Sequence, residues 1–112
     1  MIKDLKMGSI VMVDFNLVPG STIQKLRQAM VVSSKPHCKQ SDRIVVIPIT
    51  TSFVKRNDND IIYKTHRGIP RRIAIDEIVN IHKCYVTQTV HRVPNATVRA
   101  VMSAYCKIRN IK

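Results

Sequence analysis

Short β-branched runs broken by proline and glycine fill most of this sequence, and only its C-terminal stretch carries helical periodicity. That combination suggests a small, strongly bent sheet or barrel with one capping helix. Gly8-Ser9 opens the first run, Ile10-Val11-Met12-Val13-Asp14-Phe15, which reads as a strand near the middle of a sheet. Asn16 to Ser21, with Pro19 and Gly20, ends it. Ala29 to Ser33 is a second strand, Ser34 to Asp42 a loop, and Ile44 to Ile49 a third strand. Pro48 lacks a ladder donor, so an edge, a bulge or a strand end is expected there. Thr51 to Asp60 is polar and reads as a mobile loop.

Ile61-Ile62-Tyr63 suits a short strand and His66 to Arg72 a basic turn; Ile73 to Ile81 and Tyr85 to Val90 suit further strands. Pro94 fits the first turn of a helix, where its missing N–H is not needed. Val98, Val101, Met102, Tyr105 and Ile108 then recur with the spacing of one apolar helical stripe, for core or dimer packing. The order of these elements, several short strands and then one helix, suggests a small, strongly bent sheet or barrel with a capping helix. The 112 residues suffice for one domain, 1–112, that buries roughly two-thirds of its unfolded surface.

Charge limits the partners. Lys and Arg number 19 against 7 Asp and Glu, a net +12, and Glu77 is the sole glutamate. A surplus this one-sided must lie on the surface and points to a polyanion. No apolar run approaches the about 18 residues of a membrane span, and the N-terminus lacks an apolar signal region, so no membrane partner and a cytoplasmic location are expected. With few aromatics, an extended base-stacking surface is poorly supplied. Cys38, Cys84 and Cys106 form no Cys-x-x-Cys pair. His37-Cys38 and His82-x-Cys84 supply too few ligands for zinc, so free thiols and no metal or cofactor are expected.

Gly8, Gly20 and Gly68 cannot build a phosphate-cradling loop, and no nucleophile elbow is present. Hydroxyls, arginines, histidines and a few aspartates remain. Those suffice to cleave RNA, which supplies its own 2′-hydroxyl nucleophile. The protein then needs a proton acceptor, cations for the phosphorane and a donor for the leaving 5′-oxygen. Arginine suits the cationic role, because its planar fork binds two phosphate oxygens and keeps its charge.

At this point the residues resemble a known family. The run from Gly8 to Phe15, then Pro19-Gly20-Ser21, then Lys25-Leu26-Arg27-Gln28-Ala29-Met30-Val31-Val32-Ser33, is similar to the N-terminal signature of the MazF/PemK toxins. Val46-Ile47-Pro48-Ile49-Thr50-Thr51-Ser52 resembles their Val-Pro-Ile-Thr-Ser block. Ile73 to Ile81 resembles the Asp-Gln-Ile-Arg block, and Arg92-Val93-Pro94 with the helix that follows resembles their C-terminus.

The resemblance implies the α+β, mostly β fold class of a small SH3-like barrel of strongly bent antiparallel strands with a C-terminal helix, forming a homodimer. It implies a metal-independent, sequence-specific endoribonuclease that leaves a 2′,3′-cyclic phosphate and a 5′-hydroxyl. It would be the toxin of a type II toxin–antitoxin pair. By the same resemblance Arg27 stabilises the phosphorane or helps to protonate the leaving oxygen, and Thr50 orients the phosphate. Asp76 matches the acidic residue that some members use as a base, and Gly20 and Ser21 fall in the loop that gates the RNA groove. Lys25, Thr51, Arg67, Arg71 and Arg72 are candidate RNA contacts, Thr51 also competing for the role of Thr50. Single-stranded RNA and an acidic antitoxin are the implied partners.

Each candidate also has a plainer reading. Arg27 could solvate a strand entrance, Thr50 could be an ordinary strand-end hydroxyl, and Asp76 could pair with Arg71 or Arg72. His66, His82 and His91 read as surface histidines. The chain departs from the family pattern at Gln28, where proline is usual, and at Thr22, where the loop carries glutamate. Asn16-Leu17 replaces Asp-Pro, and Glu77-Ile78-Val79 replaces Gln-Ile-Arg. A non-catalytic nucleic-acid-binding or regulatory protein, or a gyrase-type inhibitor of another protein, is the alternative on the same scaffold.

Overall fold

Alternation along each strand decides the architecture. In the computed structural model, which describes residues 4–21, 25–51, 60–65 and 67–109, the apolar runs are buried on both faces. Val11, Val13, Ala29, Val31, Ile44 and Val46 face one core with Phe15 and Ile81. Their neighbours Ile10, Met30, Ile47 and Ile49 face a second core with Tyr63, Ile73, Ile75, Val101 and Ala104. A strand covered on both faces loses the polar alternation of a half-exposed one, so its sequence reads as a continuous apolar run.

Seven strands and two helices stand among the described residues: β1 (Ser9–Asp14), β2 (Leu26–Val31), α1 (Lys35–Gln40), β3 (Arg43–Thr50), β4 (Ile61–Lys64), β5 (Pro70–Ile73), β6 (Val79–His82), β7 (Val86–Arg92) and α2 (Asn95–Arg109). All pairings are antiparallel. The sheet runs β4-β5-β3-β2-β1-β7, with β6 also paired to β3. The curled, mostly β architecture with its C-terminal helix is the fold class expected from the sequence.

Several elements differ from expectation. The segment read as a loop contains α1, because Ser34 caps it by accepting the His37 N–H at 3.3 Å and Pro36 sits in the first turn. The basic turn is shorter than expected. It closes where Thr65 N–H donates to the Ile69 carbonyl at 2.9 Å, with Gly68 at φ +77, and Arg71 and Arg72 already belong to β5. The stretch read as one strand from Ile73 to Ile81 is split by a 3-10 turn, Ile75–Glu77, before β6. Tyr85 lies in another 3-10 turn, so the following strand begins at Val86.

Pro48 lies inside β3, not at an end. It falls between the residues that pair with β6, through Val46, and those that pair with β5, from Ile49. Its carbonyl still accepts from Ala74 N–H at 3.0 Å. The missing donor is tolerated where one neighbour strand stops and another starts. The helical stripe divides: Val101 and Ala104 are buried against the second core, whereas Ile108 is 38% exposed. The reading of Thr51 to Asp60 falls, for residues 52–59, outside the described residues, as do those of His66 and Thr22.

Candidate active site

The sheet splits beside Pro48. The β2–β3 pairing runs from Val31↔Val46 to Ala29↔Pro48 and goes no further. Beyond it, Leu26 to Gln28 stay with β1, while Ile49 and Thr50 pair with β5. The two strands part, and a cavity of about 430 Å³ opens between them. Lys25, Leu26, Arg27 and Gln28 form one wall and Ile49, Thr50 and Thr51 the other, with Met12 and Arg71 completing the lining.

Three cations, Lys25, Arg27 and Arg71, therefore meet at one opening with no carboxylate in the described lining. Fixed positive charge at a partly enclosed, low-dielectric surface favours an anion such as a phosphodiester. Arg27 and Thr50 are both half-buried, sheltered yet open to a ligand. Lys25 holds φ +79, a left-handed conformation uncommon for a residue with a side chain. Two hydrogen bonds fix it: its N–H donates to Asn16 Oδ1 at 2.9 Å, and its carbonyl accepts from Phe15 N–H at 3.1 Å.

The remaining candidates stand apart from this cavity. Asp76 is exposed on the 3-10 turn after β5 and is not part of the lining. Arg72 is almost fully buried, its Nη1 3.1 Å from Asp60 Oδ2, with side chains 5% and 1% exposed. The ion pair that the sequence suggested between Asp76 and Arg71 or Arg72 is thus, for Arg72, made with Asp60 instead. Arg67 is exposed on the Thr65–Ile69 turn. Gly20 (φ +74) and Ser21, whose N–H donates to the Val18 carbonyl at 3.2 Å, also lie outside the lining. Met12, Leu26, Gln28 and Ile49 join the cavity with no signal in local sequence. Only the point where β2 and β3 separate brings them together.

The histidines and cysteines have local roles. His82 Nδ1 accepts the Cys84 N–H at 3.1 Å, so the His-x-Cys spacing caps a 3-10 turn. His91 is half-buried with its ring 6.4 Å from that of Tyr63, not a surface residue. Cys38 packs in the first core, where burial raises its thiol pKa and nearby Lys83 partly opposes the rise. The three thiols are free, and among the described residues no cluster of His, Cys, Asp or Glu could hold a metal ion. No helix among them is long and apolar enough to cross a membrane.

Residues 6–108 match the model of the PemK-like, MazF-like toxins of type II toxin–antitoxin systems. No curated protein matches the sequence. Among solved structures the chain is similar to MazF from Deinococcus radiodurans, with a TM-score of 0.81 at 15% identity, covering 95% of this chain and 96% of that one. It is similar as well to an endoribonuclease bound to its cognate antitoxin from a Mycobacterial species, with a TM-score of 0.81 at 13% identity, covering 97% and 98%. The Mycobacterium tuberculosis toxin MazF-mt6 gives a TM-score of 0.76 at 14% identity, covering 93% and 98%. At these identities the likeness shows the fold, while the match to the family model extends over nearly all of the sequence. The chain belongs to the PemK-like, MazF-like toxin family of type II toxin–antitoxin systems.

Proposed function

We propose that this chain is a sequence-specific, metal-independent endoribonuclease that cleaves single-stranded RNA in the cytoplasm. The observation that carries the reading is the placement of Arg27 and Thr50 on the two walls of one cationic cavity. The RNA 2′-hydroxyl gives its proton to water as it attacks the adjacent phosphorus, the bond to the 5′-oxygen breaks as that oxygen takes up a proton from water, and the products carry a 2′,3′-cyclic phosphate and a 5′-hydroxyl. Arg27, on the wall that faces Thr50, stabilises the charge that builds on the phosphorane. Thr50 holds a non-bridging oxygen by a hydrogen bond, and Lys25, Thr51 and Arg71 bind the flanking strand. Asp76, the candidate base, is exposed outside the lining of this cavity.

The working form is a homodimer, and its regulator is an acidic antitoxin that covers the cationic opening, as one structural relative is bound to its cognate antitoxin. Incubation with a long defined RNA in EDTA, with mapping of the new 5′ ends, tests the activity. Cuts at a recurrent short sequence, bearing 5′-hydroxyl ends and lost in Arg27→Ala, are the expected result. RNA left intact across varied sequences by folded protein overturns the nuclease reading. Salt-sensitive binding without shortening of the RNA would support the non-catalytic alternative.

A further inference from the structure

We infer that Gln28 is a specificity-determining residue that reads one amino-bearing base, adenine or cytosine, of the bound RNA. The inference rests on the ribonuclease reading above and deepens it. Gln28 lies on β2 directly after Arg27, lines the same cavity, and has Met12 as its register partner on β1. Its Oε1 is covered in this conformation and accepts no hydrogen bond from any described residue, so the carboxamide must turn toward the cavity before a base can reach it. Buried side-chain acceptors are nearly always satisfied, and one that is not marks a place where a partner is missing. Of the side chains that share the lining, Met12, Leu26 and Ile49 carry no donor, and the lysine, arginines and threonines of the lining do not bond this oxygen.

A carboxamide presents an acceptor and a donor side by side. Adenine and cytosine present the complementary pair, an exocyclic amine beside a ring nitrogen, and single-stranded RNA leaves those edges free to be read. The amine would donate to Oε1, and Nε2 would donate to the ring nitrogen. The neighbouring Arg27 would meanwhile engage the phosphate, so the base read lies within about one nucleotide of the scissile bond. Proline, which the resemblance leads one to expect at this position, could make neither contact.

The test is 5′-end mapping of a random-sequence RNA pool cut by the wild type and by Gln28→Met, which keeps the bulk and removes both polar atoms. The readout is the ratio of cleavage at sites that differ in one base, so a general loss of activity does not move it. The wild type should favour adenine or cytosine at one position, and Gln28→Met should reduce that preference roughly ten-fold or more. Equilibrium binding of the two matching oligonucleotides to Arg27→Ala, with and without Gln28→Met, reads the same ratio if turnover is lost. Unchanged base preferences in Gln28→Met, or loss of a preference for guanine or uracil, overturn the inference while leaving the nuclease reading intact. An RNA pool that the wild type does not cut overturns both.

Discussion

Ala29 and Pro48 face each other as the last paired residues of β2 and β3, and the cationic cavity begins directly beyond them. A sheet that continued to pair there would have closed Arg27, Gln28, Ile49 and Thr50 into an ordinary ladder. Because β3 leaves β2 for β5 at this point, those residues line an opening. The bend that curls the sheet is also what makes the site.

The two central side chains should respond differently to conservative change. Arg27→Lys keeps the charge but loses the planar fork, and should lower the cleavage rate by about 100-fold or more. Thr50→Val keeps the shape and removes the hydroxyl, and should lose about 10-fold, whereas Thr50→Ser should retain most activity. Initial rates on a single-site oligonucleotide, with circular dichroism to verify folding, separate these outcomes. Equal rates for Thr50→Val and the wild type would remove Thr50 from the mechanism.

The buried Arg72–Asp60 pair belongs to the fold. Asp60→Ala leaves the guanidinium of Arg72 without its carboxylate inside the β4–β5 region, and should destabilise the protein by about 3–5 kcal/mol. Arg67→Ala, on the exposed turn, should change stability by less than about 0.5 kcal/mol. Urea denaturation of the three proteins compares them directly. A midpoint for Asp60→Ala equal to that of the wild type would show that the pair contributes nothing.

Tyr63 gives stability an alkaline limit. Its hydroxyl is buried without a hydrogen-bond partner among the described residues, and burial raises its pKa, a rise partly opposed by Arg71. The unfolded chain therefore loses the phenolic proton first. The stability linked to this proton is complete below the unfolded pKa of about 10 and is lost as pH rises through the folded pKa. Denaturation above about pH 10 should thus weaken the wild type more steeply than Tyr63→Phe. At neutral pH, Tyr63→Phe should be neutral or stabilising by about 1 kcal/mol, since it removes an unpaired buried hydroxyl. A marked loss of stability at neutral pH would show that the hydroxyl has a partner.

Gly8 joins the sheet to α2. Its N–H donates to the Val31 carbonyl at 2.8 Å, its carbonyl accepts from Val93 N–H at 3.0 Å, and its φ is +93. A Cβ there would lie 2.8 Å from Val98 Cγ2 on α2. Gly8→Ala should destabilise the protein by more than about 1 kcal/mol, through both the backbone strain and the clash. Thermal unfolding monitored by circular dichroism checks this, and an unchanged midpoint would show that the helix can move aside.

Much of the fold was legible locally. The β-branched apolar runs at 10–15, 44–49 and 61–63 are short and bounded by breakers, and the stripe on α2 carries its own period, so their strands and helix could be placed from sequence. At two places local signals compete. Pro36 marks a loop or a first helical turn, and only its position after Ser34, whose side chain caps α1, decides for the helix. Apolar residues from Ile73 to Ile81 suit a strand, but Ala74 N–H bonds to Pro48 and the chain turns at Ile75–Glu77 before pairing again.

The sequence by itself determined the strand-rich pattern, the single C-terminal amphipathic helix, the surplus of cations and the short motifs that hold Arg27 and Thr50. All of these reside in neighbouring residues, and local periodicity and charge express them without knowledge of the rest of the chain. Only the tertiary structure decided that Arg71 joins the cavity while Arg72, one residue on, is buried with Asp60, and that Asp76 stands outside. Successive residues of a strand point to opposite faces, so which cation meets the ligand depends on register with β3 and β4. That register is fixed by pairing between segments distant in sequence, which no local pattern encodes.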